Sequence, residues 1–191
     1  ISKNKKLTEC VKILRNHGIS HSLVERYSKG YPWEYDIKEA GYNYRLDEIR
    51  SALGLSQLNK INEMNEKRKN AFKYYNKFLM NIPGISIPSE EDLNYNSCHL
   101  YVLRILKNRF PISRDQLFQE LLSAGVRTTV HYKPLNKFSI FRKLGKIGDK
   151  LKNSNELYDE ILSLPLYPDI KKEEQKIVIK TIRSIQKKCL S

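Results

Sequence analysis

Between Asp47 and Pro83 the chain carries one helical hydrophobic pattern long enough to decide its architecture. Ile49, Leu53, Leu58 and Ile61 fall on one side, and the pattern continues through Met64, Phe72, Tyr75 and Leu79. Asp47 is a good N-cap for this helix. Pro83-Gly84 ends it, because proline lacks the amide a helix needs and its ring crowds the preceding turn. A helix of this length connects two domains or bends once, and Gly54 is the weak point for a bend. The boundary between the two halves is expected near residue 80.

The flanking pattern is mixed α/β. Leu7, Cys10, Val11 and Leu14 sit at helical spacing, and Asn16-His17-Gly18 gives that helix a left-handed ending. Gly30, Pro32, Trp33 and several tyrosines predict a long irregular loop over residues 20–40. Ile85 to Ile87 and Leu100 to Leu106 read as strands. Ser113-Arg114-Asp115-Gln116 is a capping box for a helix carrying Leu117, Leu121 and Leu122, which Gly125 closes. Val126 to His131 reads as a β-branched strand, and residues 154–162 as a helix. Leu164-Pro165-Leu166-Tyr167-Pro168 is a rigid extended segment. Asp169 is placed as the cap of a last helix that buries Ile177, Val178, Ile182 and Ile185.

Composition removes several classes of function. A chain of 191 residues can hold one sizeable core or two small ones, and no apolar run approaches the roughly 20 residues of a membrane helix. The opening Ile1-Ser2-Lys3-Asn4-Lys5-Lys6 has no apolar signal region and no initiating Met, so a piece of a longer polypeptide is expected. Cys10, Cys98 and Cys189 are odd in number and far apart, which fits unpaired thiols in the cytoplasm and offers no metal-ligand spacing. The formal charge of +14 would suit nucleic acid, an acidic membrane or an anionic substrate. The excess is mostly lysine scattered through helices, and Lys171-Lys172 and Lys187-Lys188 are short pairs, so nucleic acid is the less favoured partner. There is no Gly-x-Ser-x-Gly, Walker loop or Gly-x-Gly-x-x-Gly, and Glu90-Glu91-Asp92 is too local to define a carboxylate pair.

Four ordered segments carry a resemblance. They are Leu14-Arg15-Asn16-His17-Gly18-Ile19, then Gly41-Tyr42-Asn43-Tyr44-Arg45 running into its helix, then Val130-His131-Tyr132-Lys133-Pro134-Leu135, then Leu164-Pro165-Leu166-Tyr167-Pro168. Together they resemble the DegT/DnrJ/EryC1/StrS family of sugar aminotransferases, which depend on pyridoxal 5′-phosphate (PLP). Tyr31-Pro32-Trp33-Glu34-Tyr35-Asp36 with the following loop looks most like the subgroup that aminates UDP-4-keto-6-deoxy-N-acetyl sugars toward pseudaminic acid. The resemblance implies the C-terminal portion of a fold type I aminotransferase. Residues 1–50 would finish the large PLP-binding domain, 51–80 would form the linking helix, and 81–191 the small C-terminal α/β domain. It also implies a homodimer, a sugar-nucleotide substrate that would welcome the positive field, and glutamate as amino donor. In the family the cofactor-bearing lysine lies upstream of the loop, in Ser-x-His-x-x-Lys…Gly-Glu-Gly-Gly. No such motif occurs in these 191 residues. No catalytic residue is therefore assigned, and the isolated chain is expected to be inactive.

The same resemblance assigns candidate binding residues, each with a plainer alternative. Asn43 matches the family's contact to the cofactor phosphate, and a neutral amide donor suits a phosphate oxygen. Its alternative is a turn residue. Arg45 either adds a charge-assisted phosphate contact or forms a salt bridge near the helix start. His131 and Tyr132 line the sugar-nucleotide pocket or form an exposed strand end. Lys133 is a diphosphate contact or a solvated cation. His17 is read as a cation favourable at a helix end, and His21 and His99 as surface and strand residues. Three hypotheses follow: part of a sugar aminotransferase, a non-catalytic partner-binding remnant, or a basic nucleic-acid-binding module.

Overall fold

Local signals place most of the helices where the sequence puts them. In a computed structural model of the chain, residues 2–19, 23–28, 30, 33–91, 93–145 and 151–188 are described. Expectations that fall on His21, Tyr31, Pro32, Asp92 and Cys189 lie outside the described residues. The chain divides into two compact units, residues 1–59 and 60–191.

The first unit begins with α1 (Lys5–Leu14), whose N-cap Asn4 accepts from the Leu7 N–H at 3.2 Å. Its end is set by His17 and Gly18, both left-handed at φ 62 and 75, with the Gly18 N–H reaching back to Ile13 O at 3.0 Å. A short helix, α2 (Leu23–Ser28), lies within the stretch expected to be irregular. It spans only six residues, too few for hydrophobic periodicity to declare itself. The long helix α3 (Glu48–Leu79) starts in this unit, where Asp47 Oδ1 accepts from the Arg50 N–H at 2.8 Å. It runs unbroken through Gly54 for 32 residues, about 48 Å at 1.5 Å per residue.

The second unit is built on a three-stranded antiparallel sheet in the order β1 (Ile85–Ser86), β2 (Tyr101–Ile105), β3 (Ile161–Leu164). Tyr101 pairs with Leu164 and Leu103 with Leu162, while Ile85 pairs with Ile105. The core lies between this sheet and three helices: the C-terminal part of α3, α4 (Arg114–Ser123) and α7 (Lys172–Lys188). Phe72, Tyr75, Leu79, Leu103, Leu117, Leu121, Leu162 and Ile182 fill it. The capping box is present as read: Ser113 Oγ accepts from the Gln116 N–H, and Gln116 Oε1 accepts from the Ser113 N–H.

Four expectations are corrected here. Val126 to His131 makes no strand: Thr129 forms a single antiparallel bridge to Ser163, and the chain bends at His131. The helix expected over 154–162 is α6 (Lys152–Glu160), and Ile161 already belongs to β3. Ile161 to Leu164 pass through the core, so burial on both faces favours the strand. Asp169 does not cap α7: it pairs with Lys67 at 3.0 Å, and Glu174 accepts the Lys171 N–H at 2.8 Å instead. That bond holds the Glu174 carboxyl below its usual range. Ile177 is 47% exposed, and Ile179 takes the buried position beside Val178, Ile182 and Ile185. A 3₁₀ turn over Leu135–Lys137 and the helix α5 (Ser139–Leu144) complete the unit.

Candidate functional site

In the first unit the loop from Gly41 to Arg45 is stitched to the end of α1. The Tyr42 N–H donates to Leu14 O at 2.7 Å, the His17 N–H to Tyr42 O at 3.0 Å, and the Tyr44 N–H to Arg15 O at 2.9 Å. A helix end leaves its last carbonyls without intrahelical donors, and the loop supplies them. The two backbones approach so closely that a Cβ on Gly41 would lie 2.1 Å from the Gly18 nitrogen. Only glycine fits there. The four-segment pattern thus has a physical basis in its first two members, Leu14 to Ile19 and Gly41 to Arg45, which form one structure.

Three side chains meet on this loop. Arg45 Nε donates to Asn43 Oδ1 at 3.1 Å, and Arg45 Nη2 lies 3.1 Å from His17 Nε2. A guanidinium only donates, so His17 Nε2 accepts and the ring proton sits on Nδ1. His17 is therefore the acceptor for Arg45, a side-chain contact that its reading as a helix-end residue did not include. The same logic fixes the Asn43 amide: its oxygen faces Arg45 and its NH2 faces away. Asn43 and Arg45 are exposed, and Arg45 forms no ion pair among the described residues. Tyr42 and Tyr44 stack with centroids 5.0 Å apart on the same loop.

The second unit positions the other candidates. Thr129 exchanges backbone hydrogen bonds with Ser163, at 3.3 and 2.8 Å, and this sets the path of the chain into His131. His131 Nδ1 lies 2.9 Å from Ser163 Oγ, and Ser163 is buried in β3. The Tyr132 ring meets His131 edge-on at 4.8 Å and is largely exposed. Lys133 is exposed, its Nζ stands 5.0 Å over the ring of Phe138, and it forms no ion pair among the described residues. Sequence reasoning missed Ser163 and Phe138. Ser163 was the one polar residue within an apolar run, which was its only signal.

A hollow of about 580 Å³ lies elsewhere in this unit, lined by Lys107, Arg114, Asp115, Glu156 and Asp159 among others, and it holds none of the candidates. Among the described residues no group of His, Cys, Asp and Glu is arranged to hold a metal ion. No helix among them is long and apolar enough to cross a membrane.

The family model described as the DegT/DnrJ/EryC1/StrS aminotransferase family matches residues 1–183. This chain belongs to that family. The UDP-4-amino-4,6-dideoxy-N-acetyl-beta-L-altrosamine transaminase of Campylobacter jejuni is 36% identical over 189 residues, covering 98% of this chain and 47% of that protein. The structure of Helicobacter pylori PseC, an aminotransferase involved in the biosynthesis of pseudoaminic acid, aligns with a TM-score of 0.81 at 25% identity. It covers 98% of this chain and 48% of its own. Spr1654 of Streptococcus pneumoniae in its PMP form aligns with a TM-score of 0.79 at 26% identity, over 98% and 46% respectively.

The DegT-family chain spans about half the length of the curated relatives it matches, and its fold is that of the C-terminal part of these PLP-dependent aminotransferases. PLP is the cofactor of the family. The donor set on the first unit fits its phosphate. Among the described residues, both N–H groups of the Asn43 amide and the remaining N–H groups of Arg45 have no partner, and no acid pairs with the guanidinium. An exposed amide beside an unpaired guanidinium suits a dianionic phosphate.

Proposed function

We propose that this chain forms the phosphate-anchoring loop and small domain of a PLP-dependent transaminase. The reaction moves an amino group, supplied by glutamate, to a 4-keto-6-deoxy sugar nucleotide in pseudaminic acid or surface-polysaccharide synthesis. The names of its relatives support the substrate class. The observation that carries the reading is the donor set of Asn43 and Arg45, fixed in direction and without an acidic partner among the described residues.

PLP, when bound, supplies the electron sink that the amino transfer needs. Asn43 and Arg45 hold its phosphate, the amide by a neutral N–H and the guanidinium by charge. In a homodimer this loop serves a site at the subunit interface. His131 and Tyr132 bind the sugar nucleotide, with His131 presenting Nε2 because Nδ1 is taken by Ser163. Lys133 supplies positive charge toward the diphosphate from its place above Phe138.

The test uses the complete polypeptide that contains this sequence, its apo form titrated with PLP. Asn43→Ala is expected to weaken PLP binding roughly tenfold, the scale of one hydrogen bond to a charged group. Affinity equal to the parent's would refute the phosphate reading. The purified 191-residue polypeptide is expected to show no PLP-dependent transamination, since it contains no Ser-x-His-x-x-Lys segment. Turnover abolished by changing one of its own lysines would overturn that expectation.

A further inference from the structure

We infer that His17 is a positioning residue for the phosphate donors, acting through Arg45; this rests on the phosphate-anchoring reading above. The three side chains form a directed series. His17 Nε2 accepts from Arg45 Nη2 at 3.1 Å, and Arg45 Nε donates to Asn43 Oδ1 at 3.1 Å. Each bond has one possible direction, because arginine has no acceptor. His17 holds one edge of the guanidinium, and the guanidinium holds the amide oxygen. The amide NH2 is thereby turned outward, toward a ligand.

The backbone makes His17 a rigid anchor. Its N–H is bonded to Tyr42 O, its φ is 62, and neither neighbouring glycine admits a side chain: a Cβ on Gly18 would meet Glu39 O at 1.8 Å, and one on Gly41 would meet the Gly18 nitrogen at 2.1 Å. His17 is also half-buried, while Asn43 and Arg45 are exposed. An exposed arginine left to itself samples many rotamers, and ordering it at the moment of binding costs conformational entropy. Anchoring its guanidinium beforehand removes much of that cost. His17 does not touch the ligand in this scheme. Its effect falls on the phosphate contact alone.

The experiment compares PLP with pyridoxal, which lacks the phosphate, on the apo form of the complete polypeptide. His17→Leu removes the acceptor, and His17→Gln retains an amide oxygen that can accept from Arg45. His17→Leu is expected to weaken PLP binding about tenfold with pyridoxal affinity unchanged, and His17→Gln to stay within about threefold of the parent. Parent-like PLP binding by His17→Leu overturns the inference. So does an equal loss for PLP and pyridoxal, or an equal loss in both variants, since each marks a general structural role. If His17→Leu does not fold, the parent still decides. Ring nitrogen NMR is expected to show His17 protonated at Nδ1, and protonation at Nε2 overturns the inference. Asn43→Ala separates the two readings. If it binds PLP like the parent, the phosphate reading itself fails. If it loses affinity while His17→Leu does not, only the positioning role fails.

Discussion

Ser163 Oγ lies 2.9 Å from His131 Nδ1, and the same serine is bonded through its backbone in both directions to Thr129. A buried strand residue thus fixes both the course of the chain into His131 and the orientation of its ring. Ser163→Ala removes the hydroxyl and leaves Nδ1 without its partner. The expected cost is about 1 kcal/mol of stability. On the proposed function, the KM for the sugar nucleotide rises roughly threefold with little change in kcat. Steady-state kinetics of the complete polypeptide check this, and an unchanged KM would remove His131 from the substrate site.

Gly41→Ala tests the seam between the loop and α1. The added Cβ would sit 2.1 Å from the Gly18 nitrogen and 2.5 Å from the His17 carbonyl carbon, so the backbone must separate. The bonds from Tyr42 to Leu14 and from Tyr44 to Arg15 are expected to break. Hydrogen exchange at the Tyr42 and Tyr44 amides should accelerate by at least about tenfold, equivalent to about 1.4 kcal/mol of local stability. Parent-like protection at both amides would show that the seam is not needed.

Tyr101 donates to Asn76 Oδ1 at 2.6 Å inside the core, and the Asn76 amide donates in turn to Pro88 O and Glu90 Oε1. Tyr101→Phe leaves a buried acceptor unsatisfied, with an expected loss of about 1–3 kcal/mol in denaturant unfolding. A loss below about 0.5 kcal/mol would mean that the network repairs itself.

Alkaline pH acts on the same core. Burial pushes the phenols of Tyr101 and Tyr75 well above the usual tyrosine range. The folded state therefore keeps protons that the unfolded chain releases near pH 10, so stability falls as pH rises above about 10. Below that value the contribution is fully present. Unfolding free energies measured from pH 8 to 11 should decline at the upper end, and Tyr101→Phe should flatten the decline. A variant as steep as the parent would assign the effect elsewhere.

The two ends of α3 differ in energetic weight. Leu79 is fully buried, and Leu79→Ala is expected to cost about 2–5 kcal/mol. Leu53 is 61% exposed, and Leu53→Ala in the 191-residue chain is expected to change stability by less than about 0.5 kcal/mol. Comparable losses from both would show that the N-terminal part of α3 is covered in solution.

Sequence alone determined what depends on neighbours along the chain. The start of α3 at Asp47, the capping box at Ser113 and Gln116, and the left-handed ending at His17-Gly18 are bonds between residues a few positions apart. The order of four motifs, each a local string, was enough to point to the family that the comparisons show. Periodicity also marked the apolar side of α3 correctly as apolar, but it could not say that Ile49 would be 83% exposed while Leu79 is buried. Burial depends on what packs alongside, and that is not a local property.

Tertiary structure decided the rest. Ile161 to Leu164 became a strand because β2 was there to pair with it, not because of any turn signal before it. Asp169 lies three residues before α7 begins at Lys172, and its carboxylate meets Lys67, 102 positions earlier in the chain. His17 and Arg45 stand 28 residues apart in sequence, and their bond exists only because Gly18 and Gly41 let two backbones nearly touch. A hydrogen bond senses distance in space. Sequence fixes that distance only where the chain between the partners is too short to do anything else.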